Sequence, residues 1–299
     1  MKKNVIISLA DSNYFELLNE LIDSIKRFEE SKNIAICILN AGLKNNEVES
    51  LSKKVDEIKD ANWDIEVPKH KIGQKEWLKS QVSRAFIPNY FPGYEKYLWI
   101  DADAWVNSWE AIELYFKGCN NNKLAIATSA DRSYGRVLRA EWFLKSFATI
   151  KSQNYKHAKS SGFSEKIARK VALMPHLNIG VFSLEKNAPH WQVWQKNLKQ
   201  ALSKGKIWGS EQIAMNITIY VDELPVEILP AYCNWTLINK LKYDQIQNTL
   251  VEYYLPHHKI GIVHLAGKNN DHIRYNKEYL SEIETLDGKN IKKKLRFNK

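Results

Sequence analysis

Short apolar runs and helical spacings alternate along the first third of the chain. Val5-Ile6-Ile7-Ser8-Leu9-Ala10, Ile34-Ala35-Ile36-Cys37-Ile38-Leu39 and Tyr97-Leu98-Trp99-Ile100 have the length and composition of strands. Between the first two, Phe15, Leu18, Leu21, Ile22, Ile25 and Phe28 recur at the spacing of one helix face. Val48, Leu51, Val55 and Ile58 do the same within the polar segment 44–60, and Trp63-Asp64-Ile65-Glu66-Val67 alternates as a third strand would. Trp77, Val82, Phe86 and Ile87 line one face of a further helix that ends near Pro88. The order βαβαβαβ predicts an α/β protein with a mainly parallel, Rossmann-like central sheet flanked by helices. Ligands on such sheets collect beyond the carboxyl ends of the strands, where Asp11, Asn40 and Asp101 stand.

The second half is less regular. Residues 131–170 are polar and aromatic, with helical segments and no clear strand alternation, and predict an insertion that shapes a substrate pocket. Leu177-Asn178-Ile179-Gly180-Val181-Phe182 predicts a strand, followed by helices near 188–203 and 210–220, a short strand at 226–229 and a last one at 261–264. The expected organisation is one domain over 1–272, in two halves at 1–107 and 108–272, with a basic C-terminal tail at 273–299.

Composition narrows the function. With 44% hydrophobic and 26% charged residues, the 299-residue chain has a globular balance, and no stretch reaches the roughly 18 apolar residues of a membrane span. Cys37, Cys119 and Cys233 lie far apart and form neither a disulfide framework nor a zinc pattern, which points to a reducing cytoplasm. Two sequons, at Asn216 and Asn234, are then chance matches. Residues 288–299 hold six Lys and Arg and no acid, more than half of the net charge of +10. Charge gathered at one end fits a merely solvated tail and, equally, a peripheral contact with anionic lipid at the inner face of a membrane, not nucleic-acid binding, which needs a basic stripe with interleaved aromatics.

The sharpest chemical feature is Asp101-Ala102-Asp103, directly after the run Tyr97 to Ile100. Two carboxylates one residue apart at the end of a buried strand repel each other and call for a counter-charge, most simply a divalent cation. On these residues the sequence resembles the nucleotide-sugar-dependent glycosyltransferases of the GT-A fold, most closely the retaining family 8 type. In that family Asp-x-Asp ends a strand and holds Mn²⁺ or Mg²⁺ against the diphosphate of a UDP-sugar. Further segments match in order: Arg84, 17 residues before Asp101; Asn178 and Gly180; Glu211-Gln212 with the trailing Asn216; and His264 with Gly267-Lys268.

The resemblance implies metal ligation by Asp101, Asp103 and His264. It implies donor contacts from Ala10, Asp11, Arg84, Asp101, Ala102, Asp103, Asn178, Gly180, Gln212, Gly267 and Lys268, and catalytic roles for Asn178, Glu211 and Gln212. The implied reaction moves a sugar from UDP to a hydroxyl of a glycan or glycolipid, as in surface-polysaccharide synthesis, with retention; inversion would need a base such as Asp131 or Glu211. Two departures from the family pattern stand out. Lys268 follows Gly267 at once, and Glu211 replaces the usual Asp. A sugar nucleotidyltransferase is the rival enzyme, but Asp11-Ser12-Asn13-Tyr14 is no Gly-rich basic loop. A non-catalytic glycan- or nucleotide-binding protein is the alternative from another class. Gly261 to Lys268 fails as a phosphate loop, because five residues separate its glycines and Asn269 stands where Ser or Thr is required.

Overall fold

A computed structural model describes residues 2–73, 75–132, 138–143 and 146–298. The strands in chain order begin with β1 (Asn4–Ala10), β2 (Ile34–Asn40), β3 (Glu57–Asp60), β4 (Lys96–Ile100), β5 (Ala104–Val106) and β6 (Leu124–Thr128). They continue with β7 (Leu138–Phe143), β8 (Phe147–Ser152), β9 (Leu177–Glu185) and β10 (Val226–Leu229). The last are β11 (Trp235–Thr236), β12 (Leu241–Asp244), β13 (Thr249–Glu252), β14 (Ile262–His264), β15 (Ser281–Thr285) and β16 (Asn290–Lys293).

The central sheet has the order β10-β6-β9-β4-β1-β2-β3. β1 runs parallel to β2 and β4, and β2 to β3, whereas β9 is antiparallel to both β4 and β6. The architecture is therefore the expected α/β one, mainly parallel. Both faces of the sheet are covered, which is why its strands read as continuous apolar runs instead of alternating ones. Val5, Ile7, Tyr97 and Trp99 point into one core with Phe182, Trp191 and Trp194. Ile6, Leu98 and Ile100 point into the opposite core, against Leu18, Leu21, Ile22 and Ile25 of the helix Phe15–Lys26 and Ile112 of the helix Trp109–Gly118.

Three expectations need correction. The third strand is β3 at Glu57–Asp60, not 63–67, and the helix before it stops at Ser52. Asp56 fixes that edge: its backbone N–H donates to the Ile36 carbonyl at 2.8 Å, and its carboxylate accepts the Ile36 N–H at 2.9 Å. Ile65 and Val67 are buried as irregular chain under the sheet, so their alternation reports burial and not pairing. The insertion carries the helices Gln153–Ser160 and Glu165–Val171, and also a β7–β8 hairpin.

The basic end is not a free tail. β15 and β16 complete a four-stranded sheet with β12 and β13, and Leu295 and Phe297 enter a third core beside Trp105 and Trp235. Arg296 is buried and bonds Glu20 at 2.7 and 3.0 Å, while Lys294 pairs with Glu278 at 2.6 Å. These two of the six cations at this end are thus paired with acids of the fold itself. Among the described residues no helix is long and apolar enough to cross a membrane.

Candidate active site

β4 ends at Ile100, and β5 begins at Ala104 in a different sheet, so the chain must turn sharply between them. The Ala104 N–H donates to the Asp101 carbonyl at 3.0 Å and closes that turn, setting Asp101 and Asp103 on its two shoulders. β5 then pairs with β14 in the small sheet β11-β14-β5, with His264 opposite Ala104. The pairing carries a buried imidazole to the carboxylates from far along the chain.

Each carboxylate divides its oxygens between two tasks. Asp101 Oδ1 accepts from Trp99 Nε1 at 2.7 Å and pairs with Arg84 Nη2 at 2.9 Å, while Oδ2 lies 3.9 Å from His264 Nε2. Asp103 Oδ2 faces Arg274 Nη1 at 3.6 Å, and Oδ1 lies 3.3 Å from the same imidazole nitrogen. Ligand atoms of Asp101, Asp103 and His264 all lie within 4.8 Å of one another. Arg84 and Arg274 thus supply part of the counter-charge that the sequence assigns to a cation, and the remaining oxygens still converge. His264 Nδ1 lies 2.9 Å from Asn234 Oδ1, so Nδ1–H donates there and Nε2 is the nitrogen turned to the cluster. Two hard oxygens and one imidazole nitrogen form a donor set suited to Mn²⁺ or a similar divalent ion.

Electrostatics separates the two acids. Burial is the strongest influence on Asp101 and raises its carboxyl above the usual range although Arg84 and His264 pull the other way. Burial also pushes on Asp103, but there His264 and Arg274 prevail and hold the carboxyl low. His264 is lowered by burial and raised more by Asp103 and Asp101, ending above its usual value.

Gly180 on β9 closes the cluster from above. A Cβ there would lie 2.4 Å from His264 Cε1 and 2.9 Å from Asp101 Oδ2, so only a hydrogen fits. Its carbonyl accepts the Asp101 N–H at 2.8 Å. Asn178 Oδ1 accepts the Gly180 N–H at 3.0 Å, and Gln212 binds the backbone of Ile179 at 3.4 Å and of Leu177. Asn178 and Gln212 both line the cleft while holding β9 in shape. Arg84 is buried over the Trp99 ring at 4.5 Å and ties together Asp101, Glu211 at 3.2 Å and the Ile179 carbonyl at 3.3 Å. Burial, reinforced by the charge on Asp101 and opposed by Arg84, pushes the Glu211 carboxyl up to about 8.

A cleft of about 2050 Å³ joins these groups to Ala10, Asp11, Ala102 and Gly267. The Asp11 carboxylate is engaged at 3.0 Å by the Asn13 N–H and caps the turn Ser12–Tyr14. Lys268 starts a short helical turn, and its side chain lies outside the described residues. Asp131 is half-buried just past β6 and is not among the residues lining the cleft. Sequence reasoning misses Arg274, Asn234 and the polar end of Trp99. Arg274 sits in no motif, Asn234 hides in a false sequon whose side chain is buried, and Trp99 reads as core because only its indole N–H faces the site.

Residues 5–181 match the model of glycosyl transferase family 8, more than half of the 299 residues. No curated protein matches the chain. Among solved structures, the apo bifunctional glycosyltransferase WbbM superposes with a TM-score of 0.55 at 20% identity over 89% of this chain. The chain spans 46% of WbbM, less than half its length. The galactosyltransferase LgtC, solved with donor and acceptor sugar analogs, gives 0.53 at 13% identity over 88% of this chain and 87% of its own.

Proposed function

Because the chain belongs to glycosyl transferase family 8 and is a glycosyltransferase of the GT-A fold, we propose that it moves a sugar from a UDP-sugar to a hydroxyl of a glycan or glycolipid, with a divalent cation and with retention. The observation that carries this reading is the convergence of one oxygen each from Asp101 and Asp103 on His264 Nε2 at the floor of the cleft. LgtC, of the same fold, was solved with donor and acceptor sugar analogs, which fits a cleft with room for both.

A departing diphosphate carries about two negative charges, and catalysis rests on stabilising them as the glycosidic bond breaks. Asp101, Asp103 and His264 would hold Mn²⁺ or Mg²⁺, which supplies Lewis-acid stabilisation of the diphosphate oxygens. Arg274, which lines the cleft, adds a fixed positive charge beside Asp103. Arg84 keeps Asp101 oriented and presents the Glu211 carboxyl. With Glu211 largely protonated at neutral pH, the wall next to the donor sugar is a neutral hydrogen-bonding surface built from Asn178, Gln212 and Glu211. A front-side attack needs no protein nucleophile: the acceptor hydroxyl gives its proton to the departing diphosphate while Gln212, or the neutral Glu211 carboxyl through its carbonyl dipole, stabilises the sugar cation.

Calorimetric titration of UDP with and without Mn²⁺, on the parent and on Asp103→Ala, tests the reading. Metal-dependent binding that the substitution removes is expected. A folded parent that binds no UDP in the presence of Mn²⁺ overturns it.

A further inference from the structure

Two tryptophans stand in water at the mouth of the cleft. Trp208 is 68% exposed and Trp77 is 37% exposed, their rings edge to face with centroids 5.7 Å apart. Leaving two large rings in solvent forgoes the stabilisation that burial brings, so a ring face held there is available to a ligand. The pair is fixed from below, because Gln81 accepts the Gly209 N–H at 3.3 Å and joins the two segments that carry the rings.

Both segments lead from the rings to the reaction centre. Trp77 precedes Arg84 by seven residues of nearly continuous helical turn, a rise of about 10–14 Å, and Trp208 precedes Glu211 by three. The rings therefore line the same cleft as Arg84 and Glu211, where the part of a bound glycan away from the reacting sugar can meet them.

Charge along the cleft is divided in the same direction. The acids that line it, Asp11, Asp101, Asp103 and Glu211, belong to the strand-end region and the wall beside Arg84, whereas the lining lysines Lys71, Lys75, Lys204 and Lys206 each stand within six residues of Trp77 or Trp208 in the chain. Lys71 donates to the backbone carbonyls of Leu202 and Ser203, neutral partners and not carboxylates. No described acid lines the cleft among these lysines.

We propose that Trp77 and Trp208, with the lysines around them, form an acceptor subsite that takes an anionic glycan: one sugar ring stacks on an indole face while a carboxylate or phosphate on that sugar or its neighbour meets the lysines. An apolar ring face with a charged edge is the chemistry this subsite complements. Calling the ligand an acceptor rests on the transferase reading; the binding of the glycan does not.

The probes are a tetrasaccharide of alternating glucuronate and N-acetylglucosamine and, as its neutral counterpart, the tetrasaccharide of N-acetylglucosamine alone. Binding is followed by intrinsic tryptophan fluorescence at low and at high salt. The acidic tetrasaccharide is expected to bind about tenfold more tightly than the neutral one at low salt, with the advantage shrinking as salt rises. Trp208→Ala should weaken it by about tenfold or more, Lys206→Glu should remove the preference for the acid, and UDP affinity with Mn²⁺ should stay unchanged in both variants. Equal binding of the two probes, no binding of either, or affinity untouched by Trp208→Ala overturns the proposal. Loss of UDP binding in the parent overturns the transferase reading instead and leaves the glycan result to stand by itself.

Discussion

The stretch that matches the family model, residues 5–181, and the stretch after it meet at the site but reach it by different routes. The first contributes groups that are set by their own strand: Asp101 and Asp103 flank a tight turn, and Gly180 sits on the neighbouring β9. The second contributes His264 and Arg274 only because β14 pairs with β5 and a short helix follows. Chemistry fixed by a strand end is local and hard to displace. Chemistry delivered by a distant strand depends on the whole fold and serves to trim the charge and orientation of the first.

Substitutions at the two shoulders and at the imidazole test that division most strongly. Asp103→Ala is expected to lower transfer by roughly 10³-fold and His264→Ala by about 10²-fold, in single-turnover assays at saturating Mn²⁺. Equal losses would mean that the distant strand carries as much of the chemistry as the turn does. Gly180→Ala comes next in size, since its Cβ would lie 2.4 Å from His264 Cε1 and push imidazole and carboxylate apart. Mn²⁺ affinity should fall by about 10–100-fold, read by metal titration. Unchanged affinity would show that the ring can move aside at no cost.

The mildest test concerns Glu211. Its carboxyl, ordinarily near 4.5, is raised to about 8, so between those values the folded chain holds a proton that the unfolded chain has lost. Stability therefore falls as pH rises through that window. Glu211→Gln removes the linkage, and its Tm relative to the parent should climb from pH 4.5 to about 8 and then level off. A gap that stays flat with pH would mean that Arg84 holds the carboxylate ionised.

Much of this was legible in the sequence, and for physical reasons. β1, β2 and β4 are covered on both faces, and such strands leave an uninterrupted apolar signature. The Asp-x-Asp pair announced itself because charge rarely follows such a run directly. Trp63 to Val67 misled, since alternation records which side chains are buried and says nothing of a ladder partner; Asp56 decided the edge instead. The end of the chain misled in the opposite sense. Its lysines read as a tail left in solvent or laid on lipid, whereas Leu295 and Phe297, two apolar residues among the cations, anchor it in a core. Arg274 left no local trace, because its role comes from an approach to Asp103 that only the assembled sheets create.

The pairing of β14 with β5 has a consequence for how the protein is made and watched. An ion shared by positions 103 and 264 would staple the ends of a very long loop, one whose closure entropy the chain must already have met in order to fold. Bound metal and nucleotide would then raise the melting temperature of the entire molecule by mass action. A thermal-shift trace taken with ligands would report folding and site assembly as a single event.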